Sequence, residues 1–286
     1  MIIGGNKQQV IANIRQAVAT ERFNDKVEVG DPQLSVQAEN QLLHDYVADL
    51  DTTSYRFKNR VGRTFMRLAT KWVNRHTKVI DAANMKGIDH GGIITSNHFN
   101  PLDNTAVRQA VYRGGHARLF VVSQPTNLKM TGLIGFLMNY ADILPIGQSM
   151  HYMGRTFPGL LQRIFARGGL VLIYPEQEMW FNYRRPRPVR RGSYYYAARF
   201  QVPIISLFVE MQDLGKPDND EFDQVRYLVH VLPTIYPDPT KTVDQNSQAM
   251  MAQDYQQKVS AYERIYGESI DAPFSKADIV GWRGEK

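Results

Sequence analysis

The chain has 286 residues, 43% of them apolar, enough for a packed core and too many for a disordered segment. It contains no cysteine, which removes disulfide scaffolds, thiolate metal sites and cysteine nucleophiles. The 34 Lys and Arg against 28 Asp and Glu leave a net charge of +6, a balance suited to an anionic partner: nucleic acid, a membrane surface or an acidic carrier protein.

In chain order, helices are expected over residues 8–19 and 36–50, separated by the breaker run Val29-Gly30-Asp31-Pro32. The first twenty residues lack a basic stretch followed by an apolar one, and no window holds 18 consecutive apolar residues, so neither a secretory signal nor a spanning helix is expected. Residues 55–78 hold eight Lys or Arg and no Asp or Glu. Phe57, Val61, Phe65, Leu68 and Trp72 recur there at helical spacing, with Arg56, Arg60, Arg63, Arg67, Lys71 and Arg75 mostly on the other faces. Such a basic amphipathic helix either lies in a membrane interface or packs on the core as an ordinary surface helix.

Beyond Lys78 short apolar runs alternate with helical stretches. Strands are expected at 78–81, 92–96, 119–123, 170–174, 203–210 and 227–232, and helices at 102–112, 131–140, 157–166, 194–200 and 243–266. Residues 213–223 read as an acidic surface loop. The alternation argues for an α/β fold, a layered mixed sheet flanked by helices, preceded by an N-terminal helical segment. The division falls between 1–77, with the basic helix, and an α/β domain over 78–286.

A His followed five positions later by Asp occurs three times: His44/Asp49, His76/Asp81 and His98/Asp103. About 0.4 such pairs arise by chance at this composition, so context must separate them. On a continuous helix His44 and Asp49 point about 140° apart. On an extended run His76 and Asp81 stand about 16 Å apart. His98 instead follows a strand, and Asn100, Pro101 and Asp103 fit the N-cap, N1 and N3 positions of the next helix. The turn folds His98 over Asp103, which can fix the imidazole tautomer and leave Nε2 as a base. The carboxyl edge of a strand is also where open α/β sheets place their sites. The competing reading is that Asp103 only caps the helix.

A second cluster runs from the strand at 170–174 into Glu176, Gln177 and Glu178, then aromatic residues, then five Arg between 184 and 191. Carboxylates beside concentrated guanidinium groups suit a polar, anionic substrate, though such a loop can also be a solvated surface. Interleaved Tyr and Arg also fit single-stranded nucleic acid, but the prolines break any regular stacking platform, and no nucleic-acid partner is expected.

The run Asn97-His98-Phe99-Asn100-Pro101-Leu102-Asp103 resembles the NHxxxxD block of the glycerolipid acyltransferases of the 1-acylglycerol-3-phosphate type. In order along the chain, Ile143–Gln148 resembles the second block, Tyr174-Pro175-Glu176 the Phe-Pro-Glu of the third, Arg190-Arg191-Gly192 the following Lys-Lys-Gly, and Val202–Ile205 the Pro-centred fourth. Two departures stand out: Gln148 and Met179 occupy positions where the family usually has arginine. Those arginines are associated with the acceptor's phosphate.

The resemblance implies an O-acyltransferase in which His98 and Asp103 are catalytic. His98 would deprotonate a hydroxyl that attacks the thioester of acyl-CoA or acyl-carrier protein, with no metal and no other cofactor. Asn97, Gln148, Glu176, Gln177, Arg184, Arg185 and Arg191 are the candidate substrate-binding residues, Glu176 holding the acceptor and the arginines, Arg187 among the candidates, its phosphate. Leu133, Ile134, Phe136 and Leu137 are candidates for an acyl groove, or else a core-packing helix. The acceptor expected first is lysophosphatidate. The alternatives are an unphosphorylated or other polyol or glycan acceptor, and a degenerate protein that only binds membrane surfaces. The expected location is cytoplasmic and peripheral at an anionic membrane.

Overall fold

The computed structural model describes residues 7–30 and 33–284; Asp31 and Pro32 of the breaker run lie outside the described residues. Seven strands, β1 (Lys78–Ile80), β2 (Gly92–Thr95), β3 (Leu119–Ser123), β4 (Ile143–Pro145), β5 (Leu170–Leu172), β6 (Ile204–Pro217) and β7 (Asp223–Val231), form one sheet. Their order is β1-β7-β6-β2-β5-β3-β4. From β6 to β4 every pairing is parallel; β7 runs antiparallel to β6, and β1 lies parallel to β7 at the edge. Among the described residues eight α-helices accompany the sheet: α1 (Lys7–Ala19), α2 (Val36–Asp49), α3 (Thr53–Val73), α4 (Asp103–Arg113), α5 (Gly132–Tyr140), α6 (Phe157–Phe165), α7 (Gly192–Phe200) and α8 (Val243–Tyr266). This is the α/β class that the alternating pattern implies.

The central strand β2 explains the layering. Its residues are all buried, and successive side chains face opposite sides. Ile94 packs with Val107 and Val111 of α4, whereas Ile93 packs with Leu161 of α6, Ala197 of α7 and Met250 of α8. Burial on both faces is why a parallel strand reads as an unbroken apolar run. Each fully buried isoleucine contributes about 1.5–3 kcal/mol.

Local signals set the helix ends. Ser35 accepts from the Ala38 N–H to start α2, and Thr52 accepts from the Tyr55 N–H to start α3. Thr242 and Gln245 form a reciprocal capping box on α8, which ends at Gly267 in a left-handed conformation. The helix α1 buries Val10, Ile11 and Ile14 against Trp180, Phe181, Phe222 and Trp282, tying the N-terminal helix to the loop beyond β5.

Several element bounds shift by one or two residues, and three differences go beyond that. The strand β4 was read only as part of a motif, because three residues ending in proline carry no alternation to detect. Of residues 213–223, expected as a loop, only 218–222 connect the strands. The strand β6 continues to Pro217 and pairs with β7 through Asp213↔Val225 and Pro217↔Asp223, with an irregularity between. Residues 213–220 are exposed, so they show none of the apolar alternation of a half-buried strand. Finally, α4 begins at Asp103 with Leu102 at its N-cap, so Asn100 and Pro101, expected at the N-cap and N1, instead form a hydrogen-bonded turn from Asn100 to Asp103 ahead of the helix.

Candidate active site

The chain leaves β2 under tight restraint. The Asn97 side chain mimics a strand neighbour: Oδ1 accepts from the Val209 N–H at 2.8 Å and Nδ2 donates to the Val209 carbonyl at 3.1 Å. On the other side, the N–H groups of Trp180 and Asn182 donate to the carbonyls of His98 and Phe99 at 3.0 and 2.8 Å. Phe99 is fully buried. With both flanks held, the backbone turns at Asn100, whose Oδ1 accepts from the Leu102 N–H at 3.0 Å, as an N-cap side chain would.

That turn lays His98 over the start of α4. His98 Nδ1 lies 2.7 Å from Asp103 Oδ2, and the same oxygen accepts from the N–H groups of Phe99 and Asn100 at 3.0 and 3.3 Å. Asp103 thus caps the turn and holds the imidazole at once, so the two readings of the sequence are both realised in its geometry. The Asp103 side chain is 2% exposed and that of His98 22%; the dyad is anchored inside with its ring at the surface.

One member of the cluster was missed in the sequence. Tyr174 donates its hydroxyl to Asp103 Oδ1 at 2.5 Å, and its ring stacks on the His98 imidazole at 3.9 Å between centroids and 12° between planes. Burial, reinforced by the Asp103 charge, pushes the Tyr174 hydroxyl well above its ordinary value, so it remains a donor. The available signal was a Tyr in place of the family's Phe immediately before Pro175-Glu176.

Glu176 is placed differently from the expectation that it holds the acceptor. It is buried; Oε2 accepts from the His98 N–H at 3.3 Å and from Arg187 Nη2 at 2.9 Å, and Oε1 accepts from the Arg187 N–H at 3.1 Å. Its oxygens hold the His98 backbone and balance the Arg187 charge, because a buried carboxylate must be neutralised and hydrogen-bonded. Asn97 is likewise committed to Val209. Gln177 is exposed at a left-handed turn position (φ 67°) closing on Tyr174. Gln148 is exposed, and its N–H donates to Glu39 at 2.6 Å.

The arginines also depart from expectation. Arg184 binds Glu268 at 2.5 Å and Asp278 at 3.3 Å. Arg185 meets both oxygens of buried Asp278 at 2.7 and 2.8 Å and donates to the carbonyls of Ile270, Ala272 and Pro273. Both therefore tie the C-terminal segment to the loop instead of folding back over His98; their partners lie some ninety residues away, beyond any local reading. Arg191 is held by Asp244 and Ser247 at the start of α8. Arg190 is exposed, and its N–H donates to the Pro175 carbonyl at 2.8 Å. The other two His–Asp spacings stay apart: His44 lies against Asp45, and His76 against Arg75.

The basic helix packs with its polar side inward. Asn59, Gly62, Met66 and Thr70 are buried, Asn59 donating to the Tyr140 carbonyl and to Asp142 at 2.9 Å each. A Cβ on Gly62 would come within 2.7 Å of the Tyr140 carbonyl oxygen, so α3 and α5 approach closely only because position 62 has no side chain. The apolar stripe faces outward: Phe57 is 70% exposed, Leu68 61% and Trp72 61%. Leu133 and Ile134 of α5 are exposed as well, while Leu137 is buried against Met66 and Phe136 packs partly buried beside them, so the four acyl-groove candidates divide between surface and core. Among the described residues no helix is long and apolar enough to cross a membrane.

Residues 71–210 match the family model described as Acyltransferase, a span that holds His98, Asp103, Tyr174 and Glu176. Just under half of the chain is thus similar to an acyltransferase domain, which supports acyltransferase activity. Its fold is similar to the crystal structure of the 1-acyl-sn-glycerophosphate (LPA) acyltransferase PlsC from Thermotoga maritima, with a TM-score of 0.50 over 94% of this chain and 98% of that one, at 12% identity. No curated protein matches the sequence.

Proposed function

We propose that the protein moves a fatty acyl group from a thioester donor, acyl-CoA or acyl-carrier protein, to the hydroxyl of a glycerolipid-type acceptor. The observation that carries this reading is the 2.7 Å contact between His98 Nδ1 and Asp103 in a ring that remains reachable from outside. Nδ1 donates to the carboxylate, so Nε2 accepts the acceptor's hydroxyl proton as the oxygen attacks the thioester carbonyl. The tetrahedral intermediate collapses by expelling the thiolate, which takes the proton back from Nε2. Asp103 orients the ring and stabilises the imidazolium between these steps. No acyl-enzyme forms, and the thioester is activated enough to need no metal.

Lysophosphatidate is the first acceptor to test. A second acceptor, an unphosphorylated hydroxyl, is favoured by one observation: Arg184 and Arg185 already face Glu268 and Asp278, and a guanidinium so paired is a poor partner for an added phosphate. Arg190 remains the exposed cation beside Pro175. The outward stripe of α3, flanked by exposed Arg56, Arg60, Arg67 and Lys71, supports peripheral docking on an anionic membrane. Purified protein assayed with labelled acyl-CoA and acyl-carrier protein against lysophosphatidate and monoacylglycerol tests the reading. Acyl transfer to either acceptor supports it, and transfer to neither with both donors sinks it.

A further inference from the structure

The groups beside the His98–Asp103 pair include the Glu176–Arg187 pair below the His98 backbone, buried Arg108 on α4, the Tyr227 hydroxyl of β7 and the Tyr174 hydroxyl. Glu176 reaches His98 only through the backbone N–H. Arg108 is committed to the carbonyls of Leu119 and Ala141 at 3.0 and 2.8 Å. Of these groups Tyr174 touches both members of the dyad through its side chain.

We infer that Tyr174 is a positioning residue of the reaction, extending the dyad to a His98–Asp103–Tyr174 triad. The phenol holds Asp103 Oδ1, which fixes the rotation of the carboxylate and keeps Oδ2 aimed at Nδ1. The stacked ring fixes the imidazole plane, so Nε2 keeps one direction. A short bond from a neutral donor to a carboxylate also draws charge from it. Less negative charge then faces Nδ1 than a carboxylate without that bond would present. No proton passes to or from Tyr174: the hydroxyl remains a donor throughout, because burial and the Asp103 charge both oppose its ionisation. Charged and titratable groups around the triad are Arg108 of α4, the paired Glu176 and Arg187, and the Tyr227 hydroxyl of β7, which burial and Asp103 also push upward.

This inference rests on the general-base reading above, and its test separates the two. Tyr174→Phe removes the hydroxyl and keeps the stack; Tyr174→Leu removes both. The ¹⁵N titration of the His98 imidazole needs no turnover, so it reports on the triad even if no acyl acceptor is found. With Tyr174→Phe the titration midpoint and the acid limb of kcat/KM are expected to move together to higher pH, with both KM values within twofold of wild type. With Tyr174→Leu, kcat is expected to fall roughly tenfold further, about 1.4 kcal/mol, as the ring loses its orientation. In a His98→Ala background neither change should lower the residual rate, since residues acting through one another are not additive. An unmoved midpoint in Tyr174→Phe, or equal losses with and without His98, would reduce Tyr174 to a packing residue and overturn the inference. Should Tyr174→Leu fail to fold, the isosteric Phe variant still decides the question.

Discussion

Arg187 clamps Glu176 from two directions, its Nη2 on one carboxylate oxygen at 2.9 Å and its backbone N–H on the other at 3.1 Å. Both side chains are almost completely buried, at 1% and 3% exposure. The same carboxylate accepts from the His98 N–H, so an ion pair one step removed from the chemistry sets where the imidazole starts. Arg187 further donates to the Phe23 carbonyl at 2.9 Å and faces the Trp180 ring at 4.6 Å, linking this point to the turn that follows the N-terminal helix.

Breaking that pair on one side should be costly. Glu176→Gln leaves the Arg187 charge buried without its counter-ion, and losses of about 3–5 kcal/mol are typical. The expected outcome is a clear drop in melting temperature with the turnover of the remaining folded enzyme also reduced. An unchanged melting curve would mean that the pair is solvated and does not hold the His98 backbone.

Arg185 should behave as a structural residue. Arg185→Gln removes a bidentate partner from Asp278, a carboxylate with no exposure, and should destabilise the protein by several kcal/mol. The acceptor KM measured on the folded fraction should stay within about twofold of wild type. A selective rise in acceptor KM with the stability intact would restore Arg185 to phosphate binding.

The outward stripe of α3 gives the opposite pattern. Phe57, Leu68 and Trp72 are exposed, so replacing all three by Ser should change stability little, as surface substitutions generally do within about 0.5 kcal/mol each. Flotation with anionic vesicles should be lost. Reversing Arg60, Arg67 and Lys71 to Glu should weaken binding by about 1 kcal/mol per residue that reaches the surface. Wild-type protein that fails to float at low salt would remove the docking role.

Gly62 should tolerate no side chain. Because its Cβ position lies within 2.7 Å of the Tyr140 carbonyl oxygen, Gly62→Leu forces α3 off α5 and should cost about 1–3 kcal/mol as overpacking does. Faster hydrogen exchange across α3 and α5 would be the direct sign. Protection equal to wild type would show that the two helices are not locked at this contact.

How much of this was legible in the sequence follows from the range of the interactions. The turn from His98 to Asp103 is made within six residues, and local signals suffice: a strand end, an Asx residue, a proline and an acid at helical spacing. The helix α3 was visible as an amphipathic element, but its inward side was not. Asn59 donates to Tyr140 and Asp142, and Gly62 lies against the Tyr140 backbone, some eighty residues on, so the polar side is the one the fold consumes. The arginine cluster misled for the same reason. Guanidinium density near a strand end suggests an anion site, yet Asp278 and Glu268, which neutralise Arg184 and Arg185, arrive from the C-terminal segment. Tyr174 escaped notice because one hydroxyl added to an apolar motif position carries no periodicity.

The central claim is that His98 is the base of acyl transfer. The most direct measurement is the initial rate of labelled acyl transfer by His98→Ala beside wild type, with circular dichroism confirming that both are folded. General-base loss predicts a fall of roughly 10²–10⁴-fold, with His44→Ala and His76→Ala near wild type. Full activity in folded His98→Ala would contradict the account.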